Sequence, residues 1–143
     1  MTIVLFEDER VSQLHPATLG RAAMMISCGG YRLVDLLGSL GEPLHLLVRP
    51  HLRPTLETDG WQVGLNSIHK GDSILFVNGR IVPSVEGLAA LCRVIERGEP
   101  CIVHQDSTVL LALLKPTRDL PALPTGPDDW GFFLDACQLP TVE

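Results

Sequence analysis

The amino-acid sequence predicts an α/β protein built on a mostly parallel sheet, with helices on both faces and an antiparallel hairpin at one edge. Two observations predict this fold class. Short apolar runs without polar alternation are typical of strands buried on both faces. The segments between them carry apolar residues at helical spacing, and strands that alternate with helices form parallel βαβ units. A chain of 143 residues fits one domain.

The strands are predicted from five nearly continuous apolar runs. These are Ile3 to Phe6, Leu44 to Val48, Ile74 to Val77, Cys101 to His104, and Thr108 to Leu114. Only three residues separate the last two runs, so we expect these two strands to form the antiparallel hairpin.

The helices are predicted from apolar stripes between the strands. The clearest runs from Val85 to Ile95, where Ser84 can cap the start and Gly98 can end the helix. A second helix is predicted over Tyr31 to Leu40, and a short one over Pro54 to Gln62.

Two neighbouring stretches leave alternatives open. Arg21 to Ser27 fits either a helix or a strand. The doublet Gly29-Gly30 precedes the second predicted helix, so it is either a helix-entry turn or a set of backbone N–H groups that bind an anion.

The chain divides into three predicted segments: an α/β domain over residues 1–115, a Pro-rich connector over 116–127, and a C-terminal aromatic segment over 128–143. The prolines of the connector exclude a helix or an inner strand. Asp128 can cap a short helix, whose aromatic side chains either dock on this domain or meet another chain.

Composition excludes several functional classes. The net charge of -6 argues against a general nucleic-acid binder and against a polybasic membrane-surface module. No apolar run reaches the roughly 20 residues that span a bilayer. Cys28, Cys92, Cys101 and Cys137 form no CxxC pair, which predicts buried free thiols in the cytoplasm, with a structural zinc site as the alternative.

Polar side chains follow each predicted strand, and open α/β sheets bind ligands beyond the carboxyl ends of their strands. Glu7 and Asp8 are candidates for holding a divalent cation. Arg49, Arg53 and Arg80 carry fork-shaped donors suited to phosphate. The alternative is that these residues are ordinary polar loop residues without a binding role.

Familiar catalytic motifs are missing from the sequence. It contains no GxxxxGK[ST] loop, GxGxxG loop or GxSxG elbow, and no two histidines at i, i+4 spacing. His45 lies inside a predicted strand and is expected to be a core side chain with a hydrogen-bond partner.

Two stretches, residues 5–37 and 74–91, carry a set of shared motifs. The motif residues are Phe6, Glu7 and Asp8; Leu14, Pro16, Thr18 and Arg21; Gly29 or Gly30; and Asn78, Gly79 and Arg80. With these motifs the chain resembles the N-terminal region of divergent sugar-1-phosphate nucleotidyltransferase-like proteins. These are similar to bifunctional N-acetylglucosamine-1-phosphate uridyltransferase/glucosamine-1-phosphate acetyltransferases.

The resemblance implies a three-layer, Rossmann-like domain and a reaction. In that reaction a sugar 1-phosphate attacks the α-phosphate of a nucleoside triphosphate, with Mg²⁺ neutralising the charge. It implies small-molecule partners, a nucleotide or a sugar phosphate, and either an attached C-terminal acyltransferase domain or a homo-oligomer. The site residues it implies are Arg21, Arg49, Asn78 and Arg80 for phosphate or polar substrate groups, and Glu7 and Asp8 for the metal.

The sequence departs from the active enzymes of this resemblance in two places. The loop that follows the first strand, residues 7–13, has three acids and no glycine, whereas theirs is Gly-rich. Arg80 also stands where they have a metal-binding Asp, and a guanidinium cannot bind a cation.

Three functional expectations follow. The first is the N-terminal part of a protein that transfers a nucleotide to a hexosamine 1-phosphate. The second is a non-catalytic structural or assembly module attached to a hexapeptide-repeat acyltransferase. The third is a small-ligand binder of unrelated descent with the same layout.

Overall fold

The computed structural model of the chain describes residues 1–68, 71–115, 130–137 and 139–142. Its centre is a seven-stranded sheet, with a separate two-stranded ribbon. The strands are β1 (Thr2–Phe6), β2 (Ser27–Cys28), β3 (Tyr31–Arg32), β4 (Leu44–Leu47), β5 (Gln62–Val63), β6 (Ile74–Asn78), β7 (Cys101–Gln105), β8 (Thr108–Leu114) and β9 (Thr141–Val142). The α-helices are α1 (Leu33–Gly38), α2 (Arg53–Thr58), α3 (Val85–Arg97) and α4 (Trp130–Ala136). Short 3₁₀ helices cover Glu9–Leu14, Ala23–Met25 and Pro50–Leu52.

The strand order of the large sheet is β5-β4-β1-β6-β8-β7-β9. Strand β8 runs antiparallel to both of its neighbours, and every other pair in the sheet is parallel. The predicted α/β class and the predicted β7–β8 hairpin are therefore confirmed. The hairpin lies next to the edge, because the two-residue strand β9 pairs with the outer side of β7.

Helices cover both faces of the sheet, which gives three layers. Leu37 of α1, Leu56 of α2 and Leu91 of α3 belong to one apolar cluster, whereas α4 contributes Trp130 and Phe133 to a cluster on the other face. Every residue of β1 and β6 is buried as a result. This double coverage is why these strands are apolar at successive positions rather than at alternate ones.

Helix α3 begins and ends where the sequence predicts. The Ser84 hydroxyl oxygen accepts a hydrogen bond from the Gly87 N–H at 2.9 Å, as an N-cap does. Gly98 ends the helix with φ at +62°, a conformation that side chains with a Cβ rarely adopt.

The predicted helix over Tyr31 to Leu40 is shorter than expected. Gly29 and Gly30 have φ values of +58° and +91°, and they turn the chain between β2 and β3. A two-residue hairpin turn of type I′ needs positive φ at both positions, which a Gly-Gly pair supplies. The doublet is therefore a hairpin turn, Tyr31 and Arg32 lie in β3, and α1 starts at Leu33.

Two weaker predictions resolve as short helical pieces. The ambiguous stretch Arg21 to Ser27 contains the 3₁₀ helix Ala23–Met25 and then enters β2. The helix predicted over Pro54 to Gln62 is α2, which ends earlier at Thr58 and leads into β5.

The predicted connector over 116–127 and the cap Asp128 lie outside the described residues. Trp130 and Phe133, which lie beyond them, dock on this domain. The Trp130 and Phe133 rings lie 5.4 and 6.4 Å from the ring of Phe76, centroid to centroid. Helix α4 therefore packs against the sheet through these two rings.

Two further predictions concern cysteines and membranes. All four cysteines are free thiols; Cys101 is buried and the other three are half-buried. Among the described residues, no helix is long and apolar enough to cross a membrane.

Candidate functional site at the strand ends

The carboxyl ends of β4, β1 and β6 lie side by side at one edge of the sheet. Phe6 of β1 is in register with Leu47 of β4 and with Asn78 of β6. The residues that follow these strands must therefore meet. The structure brings five of the six predicted site residues together there: Glu7, Asp8, Arg49, Asn78 and Arg80.

Glu7 forms a buried ion pair with Arg49. Its side chain is 0% exposed and that of Arg49 is 14% exposed. One carboxylate oxygen accepts from the Ala23 N–H at 2.9 Å and from Arg49 Nη2 at 3.2 Å. The other accepts from Arg49 Nε and from the Arg49 backbone N–H, both at 3.0 Å. Glu7 therefore accepts four hydrogen bonds.

The Arg49 guanidinium also donates hydrogen bonds to the loop that follows β1. Its Nη2 donates to the Thr18 carbonyl at 2.6 Å and to the Arg21 carbonyl at 3.0 Å. Thr18 is itself fully buried and donates from its hydroxyl to the Val11 carbonyl at 3.2 Å. One arginine thus connects β1, β4 and the intervening loop.

Asp8 forms the second ion pair, with Arg80. Arg80 Nε and Nη2 reach its two oxygens at 2.7 Å each, a bidentate arrangement. The Asn78 amide donates to the same carboxylate at 2.8 Å, and the Arg10 backbone N–H donates at 3.2 Å. Asp8 also accepts four hydrogen bonds.

Two opposed effects set the pKa of Asp8. Burial disfavours the carboxylate and raises the pKa, whereas hydrogen bonds from Arg80 and Asn78 lower it. The lowering contributions together prevail, so the pKa of Asp8 lies below its ordinary value. Asp8 is therefore a carboxylate at neutral pH.

The predicted metal ligands do not fit a divalent cation in this arrangement. A carboxylate has about four lone-pair sites, and hydrogen bonds from protein donors fill all of those on Glu7 and Asp8. Two of the neighbours are arginines, which repel a cation. Within the part of the chain that the structure describes, no group of three or more acidic, His or Cys residues could hold a metal.

Gly79 lets β6 approach β1 at this edge. Its N–H donates to the Phe6 carbonyl at 2.7 Å. A Cβ at this position would lie 2.8 Å from Met24 Cε and 3.2 Å from the Phe6 carbonyl oxygen. The Asn-Gly-Arg tract therefore combines a buried amide, a close backbone contact and the partner of Asp8.

Arg21 is the predicted site residue that stands apart. It is exposed, and in the described residues its guanidinium makes no hydrogen bond or ion pair; only its carbonyl contacts Arg49. Predicted residue Arg53 pairs instead with Glu57 on the surface of α2.

A small cleft lies beside the ion pairs. It has a volume of about 410 Å³ and is bordered by Asp8, Arg49, His15, His51 and the exposed Leu19. Sequence reasoning did not single out His15 or Leu19, because both belong to a loop without strand or helix periodicity. His45, by contrast, is a buried strand residue as predicted, with Nδ1 at 3.0 Å from the Gly64 carbonyl.

Comparisons with known proteins agree with this architecture. A profile described as sugar nucleotidyl transferase matches residues 3–126. A crystal structure of a protein described as a glucose-1-phosphate thymidylyltransferase from Bacillus anthracis, in complex with sucrose, superposes with a TM-score of 0.54 at 11% identity. That superposition covers 99% of this chain and 85% of the other. No curated protein sequence matches. The family match spans most of the chain, and the chain therefore belongs to the sugar nucleotidyl transferase family.

Proposed function

We propose that this chain is a non-catalytic domain of the sugar nucleotidyl transferase family, which serves as a structural or assembly module of a longer protein. The observation that carries the proposal is the saturation of Glu7 and Asp8. Each accepts four hydrogen bonds from protein donors and pairs with an arginine. A site closed in this way offers no ligand to Mg²⁺, on which the reaction implied by the resemblance depends.

The loop that follows β1 supports the same proposal. In the active enzymes that the chain resembles, this loop is Gly-rich, so that the backbone can surround a triphosphate. Here residues 7–13 contain three acids and no glycine, and Glu9–Leu14 form a 3₁₀ helix. Because Arg49 and Arg80 neutralise Glu7 and Asp8, the difference that matters is in the backbone: a 3₁₀ helix without glycine stands in place of a Gly-rich loop.

The rival function is nucleotidyl transfer to a hexosamine 1-phosphate. The observation in its favour is the pair of arginines at the strand ends, Arg49 and Arg80, whose forks match phosphate oxygens. For this function both arginines have to release their carboxylates, and those carboxylates then have to accept Mg²⁺.

One assay separates the two functions. The purified chain is incubated with each of the four nucleoside triphosphates, Mg²⁺ or Mn²⁺, and glucosamine 1-phosphate or N-acetylglucosamine 1-phosphate, and pyrophosphate release is measured. We expect the same background rate for the wild type and for Asp8→Asn. Pyrophosphate release that Asp8→Asn abolishes would overturn the proposal and establish the enzyme.

The partner of the module is proposed from the resemblance alone. We propose an attached hexapeptide-repeat acyltransferase domain, because the proteins that the chain resembles often carry hexapeptide repeats after the transferase domain. The gene sequence that follows the codon for Glu143 tests this: hexapeptide repeats there support it, and their absence from the full open reading frame rejects it. Sedimentation velocity of the chain tests the alternative partner, a second copy.

A further inference from the structure

A second concave surface lies on the face of the sheet that carries α1, α2 and α3. This α1–α3 groove has a volume of about 750 Å³, within the range of about 300–1,000 Å³ of small-molecule sites. Its floor includes Val77 of β6 and Leu111 of β8. Its walls are apolar side chains of the two helices: Leu33, Leu36 and Leu37 from α1, and Leu88, Leu91 and Val94 from α3.

The apolar lining of the groove is incompletely covered. Leu36, Leu88 and Val94 are only half-buried although they face other apolar residues, and Val82 at the rim is 67% exposed. The lining is therefore mostly apolar with a few polar groups, as it is in small-molecule sites.

The rim of the groove is positively charged, against the net charge of -6 of the chain. Arg10, Arg80, Arg93 and Arg97 line it, and among the described lining residues Asp106 is the one acid. Arg10 and Arg80 are already engaged, with Thr108 and Asp8 respectively.

Arg93 and Arg97 are the cations available to a ligand. They are one helical turn apart on α3 and exposed, and neither makes a hydrogen bond or an ion pair with another residue in the described part of the chain. Residues four apart lie on the same side of a helix, and both of these arginines line the groove.

We propose that the α1–α3 groove binds a small amphipathic organic anion, whose apolar body covers the leucine-lined floor and whose phosphate, sulfonate or carboxylate group pairs with Arg93 and Arg97. The size of the groove favours a small molecule, and the excess of arginine on its rim selects a negative charge. The groove shares Asn78 and Arg80 with the strand-end site, but Arg93 and Arg97, its proposed anion contacts, are not part of the ion pairs of Glu7 and Asp8.

The probe is 1-anilinonaphthalene-8-sulfonate, an aromatic anion whose fluorescence rises in an apolar site, titrated into the full chain at neutral pH. N-phenyl-1-naphthylamine has the same aromatic body without the sulfonate and serves as the neutral comparison. We expect one saturable site for the anion and several-fold weaker binding of the neutral compound.

Two variants locate the site. Ala90 is an exposed α3 residue that lines the groove, whereas its neighbour Ala89 is also exposed but does not line it. Ala90→Trp fills the groove, so it should abolish binding of both compounds, whereas the matched control Ala89→Trp should bind as the wild type does. Equal binding by both variants would overturn the proposed location.

The charged contact is tested separately. The double variant Arg93→Gln/Arg97→Gln should weaken binding of the anion roughly 2- to 30-fold, as expected for two exposed charge contacts, and leave the neutral compound unaffected. The control Arg32→Gln/Arg53→Gln removes the same charge from arginines that do not line the groove and should change neither affinity. Equal affinity of the Arg93→Gln/Arg97→Gln variant and the wild type for the anion would overturn the role of these arginines. Circular dichroism confirms that each variant is folded.

Discussion

The buried ion pair between Glu7 and Arg49 allows a quantitative prediction for the substitution Arg49→Met. Methionine approximates the length of the arginine stem and removes the charge and the guanidinium donors. Glu7 then loses the hydrogen bonds from Nε at 3.0 Å and Nη2 at 3.2 Å. It keeps the backbone N–H donors of Ala23 and residue 49.

The expected cost follows from the burial of Glu7. Its side chain is 0% exposed, so the substitution leaves a carboxylate without a counter-charge in the interior. Removing one partner of a buried pair costs about 3–5 kcal/mol. Glu7 keeps two of its four donors, but the Thr18 and Arg21 carbonyls also lose the guanidinium, so we expect about 3–5 kcal/mol. That is a large fraction of the unfolding free energy of a typical domain, about 5–15 kcal/mol.

The assay is urea unfolding followed by circular dichroism. Arg53→Met is the matched control: the Arg53–Glu57 pair is shorter, at 2.7 Å, but both side chains are 48% exposed, so we expect a change within about 0.5 kcal/mol. The double variant Glu7→Gln/Arg49→Met should be more stable than the sum of the single effects predicts, because it removes the uncompensated charge. Equal costs for Arg49→Met and Arg53→Met would refute the reasoning from burial.

Three further predictions test individual contacts. The lowered pKa of Asp8 means that its carboxylate stabilises the fold above the unfolded pKa of about 4, and that this contribution is lost as the pH falls through the folded pKa. The stability difference between wild type and Asp8→Asn in urea titrations should therefore shrink on acidification; a constant difference would contradict it. Gly79→Ala should lower the free energy of unfolding by about 1–3 kcal/mol, because the added Cβ meets Met24 and the Phe6 carbonyl. The control Gly20→Ala has open space around it and should lower the free energy of unfolding by less than a third of that in the same titration. Ser84→Ala should lower the unfolding free energy by about 1 kcal/mol through loss of the α3 cap, and an unchanged urea midpoint would argue against the cap.

Much of the fold was predictable because its strands and longest helix have local signals. Thr108–Leu114 is apolar at almost every position, and Ser84 and Gly98 mark the ends of α3 in the sequence itself. The hairpin of β2 and β3 was missed because its strands have two residues each, too few for any periodicity. The doublet Gly29-Gly30 was the one signal for this hairpin, and it also fitted a helix-entry turn.

The sequence predicted which residues lie together at the site better than it predicted the contacts between them. The rule that parallel strands deliver their carboxyl ends to one edge brought Glu7, Arg49 and Asn78 together in the sequence argument, as they are in the structure. That rule does not say which donor meets which acceptor. Two of the donors to Glu7 are backbone N–H groups of Ala23 and Arg49, which have no signature in a sequence.

The pairing of acids with arginines decides what else the strand ends can bind. The guanidinium groups of Arg49 and Arg80 already bind carboxylates. A phosphate group that binds either arginine has to displace its carboxylate, which leaves Glu7 or Asp8 buried without a partner. A penalty of about 3 kcal/mol for breaking one buried pair lowers affinity by roughly a hundredfold. Arg21 lies outside these pairs and is exposed, so it attracts an anion without that penalty, but as a single surface charge it contributes only about 0–1 kcal/mol. The same residues that suggest a phosphate site in the sequence are therefore, once paired, the reason for weak phosphate binding at the strand ends.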